Sequence, residues 1–293
     1  MPMAPILGNV RIAVRPVVQQ DQARLANLLH FEMYVHRHLD WLSPLDLLDV
    51  HPFLTVEQDN QVQASLACPI DPPGVAWLRL FVASGGVSYE AMWQLLWAQA
   101  RHDLRELGGA TVVAIALQSW FANMLERSHF KRIQEVVFLT WENTEKISPV
   151  KSNRYIIRPM IKADLEHVRQ VDEDAFAPIW QNSLSALEAA FDQSYLATVA
   201  EDDLGIMGYQ ISTLGHLGGH LARLAIHSRS QGQRIGYAVL VDLLRQFQER
   251  NILRVSVNTQ QDNTVSLNLY RKAGFQLTGE SYPVLSYELP PQP

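Results

Sequence analysis

The chain repeats itself, so it must be read as two copies of one fold joined head to tail. Arg11-Ile-Ala-Val-Arg-Pro16 returns as Arg154-Tyr-Ile-Ile-Arg-Pro159, 143 residues later, and Asp21 against Asp164 keeps that spacing. Towards the far ends, Asn123-Met-Leu-Glu-Arg-Ser-His-Phe130 parallels Asn268-Leu-Tyr-Arg-Lys-Ala-Gly-Phe275 at a spacing of 145, which Glu135 and Glu280 share. The join falls around residues 143–153, where Asn, Ser, Pro and Lys break the apolar pattern. Residues 1–146 and 147–293 are the expected domains, each of ordinary domain size.

The richest stretch lies in the second copy, over residues 220–241. Leu221 to Ile226 is an apolar run of strand length, and 228–233 is a polar loop. Ile235, Ala238, Val239 and Leu243 then recur at helical spacing. A strand, a glycine-bearing loop and a helix start present free backbone N–H groups, helped by the helix dipole, to an anion. A phosphate fits such a place, and Gly232 and Gly236 let it approach the backbone.

Downstream, 252–258 alternates like a strand, and Asn263-Thr-Val-Ser-Leu-Asn-Leu-Tyr270-Arg-Lys-Ala-Gly274-Phe275 follows. The two segments together resemble the signature segments of the GNAT superfamily of N-acetyltransferases. The family's Gln/Arg-x-x-Gly-x-Gly/Ala pyrophosphate loop falls on Gln231-Gly232-Gln233-Arg234-Ile235-Gly236. Its Asn…Ala…Leu-Tyr…Gly-Phe helix falls on Asn263, Ser266, Leu269, Tyr270, Gly274 and Phe275. Arg234 stands where the family has its central glycine. Its N–H stays available, and its guanidinium can pair with a phosphate, point to solvent or fill the site.

The resemblance implies an α/β (α+β) chain of two GNAT-like domains, each a mixed, mostly antiparallel sheet flanked by helices and splayed at its central strands. It implies acetyl-CoA as cosubstrate. Its pyrophosphate would lie on 231–236 with Tyr237 beside it, and its pantetheine arm along Leu224, Ala225 and Ile226. Tyr270 is the implied catalytic residue, a phenol near the thioester sulfur that stays protonated at neutral pH. Asn263 contacts the cofactor or caps its helix. Some members carry a glutamate base twelve residues before the tyrosine. This chain has Asn258 there, also placed at the cofactor, and an amide takes no proton at pH 7. Asp172, Glu173, Asp174, Glu201, Asp202, His216, His220 and His227 are the substitutes in reach of that reading. Phe176, Trp180 and Phe191, with Asp172–Asp174 nearby, would shape an acceptor pocket suited to a cationic amine, or simply belong to an amphipathic helix.

The first copy lacks this chemistry. It has Ser84-Gly85-Gly86-Val87-Ser88-Tyr89 opposite the phosphate loop and Leu125 opposite Tyr270. The spacing predicts a strand at 12–14, a helix capped by Asp21, helical pieces over 31–50, a hairpin around Asp59-Asn60, a strand over 76–83, a long helix over 89–107 and a last strand at 135–141. Trp93 and Trp97 put an apolar face on the long helix, read first as core. His30, His36, His38 and His51 show no metal-ligand spacing, and no metal is expected.

The net charge of −6 argues against nucleic acid, and no run approaches the roughly 18 apolar residues of a membrane helix. One cysteine, Cys68, forbids an intrachain disulfide, and the amino end reads as no secretory signal, so a cytoplasmic protein is expected. The expected function is transfer of an acetyl group to a primary amine of a small molecule or a protein. The alternatives are a non-catalytic acyl-CoA-binding module and a mycothiol-synthase-like tandem acetyltransferase. Both a monomer and a homodimer fit.

Overall fold

The computed structural model describes residues 12–39, 41–144, 147–150, 152 and 154–291. Arg11 and the residues before it, four residues of the join (Glu145, Lys146, Lys151 and Asn153) and the last two of the tail lie outside them. No helix among the described residues is long and apolar enough to cross a membrane. The chain forms two compact units, residues 1–131 with 285–293, and residues 132–284.

Unit 1 runs β1 (Ile12–Pro16), α1 (Gln22–Phe31), β2 (Tyr34–Arg37), β3 (Phe53–Gln58), β4 (Gln61–Ala67), β5 (Val75–Trp77), β6 (Leu80–Ala83), α2 (Tyr89–Glu106), β7 (Ala110–Ile115) and α3 (Ser119–Arg127). Its antiparallel sheet has the order β1-β3-β4-β6-β2. β5 pairs in parallel with β7. The β3–β4 hairpin turns at Asp59 and Asn60, with φ of 49° and 62°, the left-handed pair that suits a two-residue hairpin turn.

Two expectations are corrected here. Residues 31–50 are not helical pieces: they hold the strand β2 and a short 3-10 turn, Pro44–Leu47. β6 is buried at all four positions and needs a partner on its second edge, which outweighs the weak helical signal of 34–37. The single strand expected over 76–83 is likewise broken at Leu78-Arg79, so that β5 pairs with β7 and β6 with β2. Trp93 and Trp97 are core: their rings stack 5.4 Å apart, and Trp93 Nε1 donates to Ser128 Oγ at 2.7 Å.

Unit 2 runs β8 (Lys131–Glu142, from Arg132 on), β9 (Ile156–Pro159), α4 (Leu165–Ala175), α5 (Leu184–Asp192), β10 (Leu196–Asp202), β11 (Gly205–Gly215), β12 (Gly218–Ile226), α6 (Ile235–Glu249), β13 (Arg254–Gln260), α7 (Thr264–Lys272) and β14 (Gln276–Leu289, up to 284). β9, β10, β11 and β12 follow one another antiparallel, β12 meets β13 in parallel, and β13 meets β8 antiparallel. The mixed sheet packs α6 and α7 around Leu240, Leu243, Phe247 and Phe275.

The repeat boundary at 146/147 follows chain order, whereas the units divide by packing, because the first copy gives away its last strand and the second the end of its own. Val137, Leu139 and Trp141 of β8, from the first copy, enter the core of unit 2. Leu285 and Leu289, from the end of the second copy, enter the core of unit 1, where Tyr287 meets the Trp97 ring edge-on at 5.4 Å.

The matched Arg and Asp of the two copies form matched ion pairs. Arg15 Nη1 holds Asp21 at 2.6 Å and Arg158 Nη1 holds Asp164 at 2.7 Å. Glu57 and Glu201 complete the two clusters, each at 2.6 Å. Asp21 therefore does not cap α1 with its side chain: its carboxylate takes Arg15 and the Val18 N–H. Arg15 first, and Arg158 likewise, hold these two aspartates below the usual carboxylate range.

Candidate functional site

Unit 2 contains an opening between two neighbouring strands. β12 and β13 pair only over Gly219–Leu221 and Val255–Val257. Beyond that both continue, β12 to Ile226 and β13 to Gln260, on separate partners, β11 and β8. His227 N–H donates to Met207 C=O at 2.8 Å. Antiparallel alternation then turns the backbone groups of Arg223 and Ala225 to β11, and those of Leu224 and Ile226 to the open side. A chain with its own amides can add itself there like a strand.

The loop after β12 delivers the anion site. Gly232 has φ of +76° and open space at its Cβ position. Arg234 is the N-cap of α6 in the left-handed conformation, φ 65° and ψ 12°, with its side chain exposed. That backbone explains why a glycine suits the position, and exposure keeps the guanidinium's bulk in solvent. The first helical bond is Ala238 N–H to Arg234 C=O at 3.1 Å, and no side chain caps the helix. The N–H groups of residues 232–237 have no hydrogen-bond partner among the described residues. Gln231 Nε2 instead reaches back to Ile226 C=O at 3.0 Å, and Gln233 Nε2 to Arg229 C=O at 3.1 Å, which fix the loop. A Cβ on Gly236 would meet Ile226 Cγ1 at 3.4 Å and Leu269 Cδ2 at 3.6 Å, so α6 lies close over β12. Tyr237 lies half-buried in that first turn, with Lys272 Nζ 4.5 Å from its ring centre. Open strand edge, free amides and small residues at the close approach together fit a coenzyme A thioester.

Tyr270 on α7 is buried beside Phe275, their ring centres 5.6 Å apart. Burial pushes its phenol above the ordinary tyrosine range, and Arg223 opposes part of that. Asn263 caps α7, its Oδ1 accepting from Ser266 N–H at 3.0 Å. Asn258 sits half-buried on β13 with no side-chain hydrogen bond among the described residues.

The acidic residues beside this opening are already engaged. Asp172 is fully buried: Arg223 binds it through Nε and Nη2 at 2.8 Å each, Asn182 N–H donates to it at 2.8 Å, and the Tyr209 hydroxyl donates to it as well. Arg223 also reaches Trp180 C=O at 2.6 Å and lies 3.6 Å over the Phe176 ring. Asp174 accepts from Ser228 N–H at 2.5 Å, which leads the causes that hold it below the usual range, and His227 stands 3.1 Å away. Glu173 pairs with Arg169, Glu201 with Arg158, and Asp202 accepts from Leu204 N–H at 2.9 Å. His220 Nδ1 lies 2.9 Å from Ser256 Oγ, and burial lowers its pKa. His216 is exposed at the β11–β12 hairpin, and Phe191 is half-buried on α5. Trp180 Nε1 donates to Gln134 Oε1 at 2.9 Å. Arg223 and Tyr209 escaped the sequence reading. A charged residue inside the apolar run 221–226 was the available signal, because a buried guanidinium demands a carboxylate. No group of three metal-ligating side chains is placed to hold a metal ion among the described residues.

Residues 165–275 match the acetyltransferase (GNAT) family model. The second unit carries a GNAT domain. Solved structures extend the likeness of fold to the whole chain. A GCN5-related N-acetyltransferase from Sphaerobacter thermophilus shares 15% identity at a TM-score of 0.63, over 96% of this chain and 97% of that one. A tandem GNAT protein from the clavulanic acid biosynthesis pathway shares 13% at 0.65, over 97% of this chain and 100% of that one. A GCN5-related N-acetyltransferase from Kribbella flavida shares 11% at 0.64, over 94% of this chain and 71% of that one. No curated protein matches the chain. The tandem GNAT fold thus holds two copies, and the family segments lie on the second.

Proposed function

We propose that the GNAT domain of unit 2 binds acetyl-CoA and transfers its acetyl group to a primary amine of a small molecule or a protein. One observation carries the reading: β12 and β13 part after Leu221 and Val257, beside a helix start whose amides are free. The pyrophosphate would rest on the N–H groups of 232–237, and the pantetheine arm would add to β12 at Leu224 and Ile226. A backbone N–H of that open edge polarises the thioester carbonyl. The amine nitrogen forms the new C–N bond, the C–S bond breaks, and its electron pair stays on sulfur. Tyr270 keeps its proton throughout the physiological range and donates it towards that sulfur. The proton shed by the nitrogen leaves to solvent and restores the phenol. With the nearby carboxylates engaged, an amine that arrives neutral suits the site. The reading places a protein with one buried cysteine and net charge −6 in the cytoplasm, acting without nucleic acid or membrane.

Asn258, where a carboxylate base would serve, favours a second reading, a non-catalytic acyl-CoA-binding module. Free-thiol release from acetyl-CoA over a panel of amines, beside binding calorimetry, separates the two. Amine-dependent release, cut about 100-fold by Tyr270→Phe with affinity unchanged, is expected of the enzyme. Saturable binding without release from any amine identifies the binding module, and absence of binding ends both.

A further inference from the structure

Unit 1 repeats the arrangement of the opening and fills it with its own chain. β5 and β7 pair over Val75–Trp77 and Thr111–Val113, as β12 and β13 do over Gly219–Leu221 and Val255–Val257, every position shifted by 144 residues. β4 pairs with β6 over Ala64–Ala67 and Leu80–Ala83, as β11 pairs with β12 over Gly208–Ile211 and Arg223–Ile226. Phe81 and Ala83 therefore stand where Leu224 and Ile226 stand. In unit 2 that edge of the strand is open.

In unit 1 the edge carries β2. His36 is paired with Phe81 and Tyr34 with Ala83. His38 N–H donates to Arg79 C=O at 2.9 Å, and antiparallel alternation extends the bonding to Phe81 and Ala83. The His36 ring holds Leu78 C=O at 2.9 Å, at the point where β5 ends and β6 begins. The loop that leads into α2 is taken as well. Glu32 Oε2 accepts from Gly85 N–H at 2.6 Å, a carboxylate on a loop amide just before a helix start. Ser88 caps α2, its Oγ accepting from Ala91 N–H at 3.2 Å, where α6 has no side-chain cap.

We infer that residues 32–38 are an internal stand-in for the acyl-CoA ligand: the Glu32 carboxylate takes the anion's place, residues 34–38 take the place of the arm, and unit 1 is closed to the cofactor. The corresponding segment of unit 2, 176–182, follows α4 as 32–38 follows α1, yet it is drawn off the strand edge. Its Trp180 C=O is held by Arg223 and its Asn182 N–H by Asp172. One segment of the repeat thus takes two conformations, and the difference separates a filled copy from an open one.

Amide hydrogen exchange of the full chain, with and without millimolar coenzyme A, tests this apart from the activity. Peptides spanning 34–38 are expected to exchange as slowly as β4 and to stay unchanged on adding coenzyme A, while those spanning 231–237 slow down. Fast exchange at 34–38 in the free protein, or faster exchange there with coenzyme A, overturns the inference, the second by showing that the cofactor displaces the segment. No change at 231–237 sinks the proposed function of unit 2 and leaves the reading of unit 1 standing. In Glu32→Gln the peptide over 84–88 should exchange about ten- to hundredfold faster, the loss of a hydrogen bond to a charged acceptor. An unchanged rate there removes the carboxylate's role.

Discussion

Arg223 and Asp172 meet side-on through two hydrogen bonds of 2.8 Å, Nε to Oδ2 and Nη2 to Oδ1, with the carboxylate wholly out of water. Tyr209 and Asn182 N–H complete the carboxylate's partners. The pair ties α4, β11, β12 and the segment 176–182 together beside the opening. Removing one member strands the other. Asp172→Ala is expected to lower unfolding stability by about 3–5 kcal/mol, and Asp172→Leu with Arg223→Met together by less than the sum of the singles. Urea midpoints of the wild type, Asp172→Ala, the singles Asp172→Leu and Arg223→Met, and their double check this. An additive double variant would show that the two side chains do not act as a pair.

Arg234 sits at φ 65° with an exposed side chain. Arg234→Gly removes the cost of a left-handed non-glycine residue and is expected to raise stability by about 1 kcal/mol. Every backbone N–H remains, so coenzyme A affinity by calorimetry should stay within about threefold. A tenfold loss would show that the guanidinium itself grips the phosphates.

Gly208 and Gly236 both approach Ile226, and they should respond differently to alanine. At Gly208 the new Cβ would stand 2.7 Å from Ala225 C=O, a backbone atom, and 2.4 Å from Ile226 Cδ1. Gly208→Ala is expected to cost about 1–3 kcal/mol and to weaken cofactor binding by pushing β12 aside. At Gly236 the nearest atom is 3.4 Å away, so Gly236→Ala should keep both fold and binding. Thermal melts and calorimetry on the two variants read the contrast. Equal effects would mean that the strand yields freely.

His36 is buried against Phe121 with its pKa pushed from 6.5 down to about 4 by desolvation. The folded state keeps it neutral while the unfolded chain takes up a proton. The stabilisation is therefore complete above pH 6.5 and is lost as pH falls towards 4, by roughly 3 kcal/mol in all. His38, half-buried with its Nδ1 out of water, acts in the same direction. In His36→Gln the drop in stability between pH 7 and pH 4.5 should shrink by about 2 kcal/mol. An unchanged pH slope in chemical denaturation would assign the loss to other groups.

Local signals were legible in the sequence. The helix start at Ile235, the Asn263 cap of α7 and the Asp59-Asn60 hairpin each depend on neighbours a few residues away, and the structure has all three. Distant pairings were not legible. β2 carries no strand pattern of its own and exists because β6, more than forty residues on, offers it an edge. The separation of 51 positions between Asp172 and Arg223 likewise hid a carboxylate that reads as a free surface group in the sequence. The trade of last strands leaves the order of elements in each copy unchanged, so no repeat comparison can reveal it.

That trade also sets a timetable for synthesis. Thr111 Oγ1 on β7 bonds Glu288 Oε2 at 2.9 Å across 177 residues of chain, and Leu285 and Leu289 fill the core around α2. The amino-terminal unit, translated first, therefore stays unfinished until the ribosome has passed residue 289, holding apolar surface that only the far end of the chain can cover. The carboxy-terminal unit receives its borrowed strand β8 before its own residues are made. The half that emerges second is the first able to close.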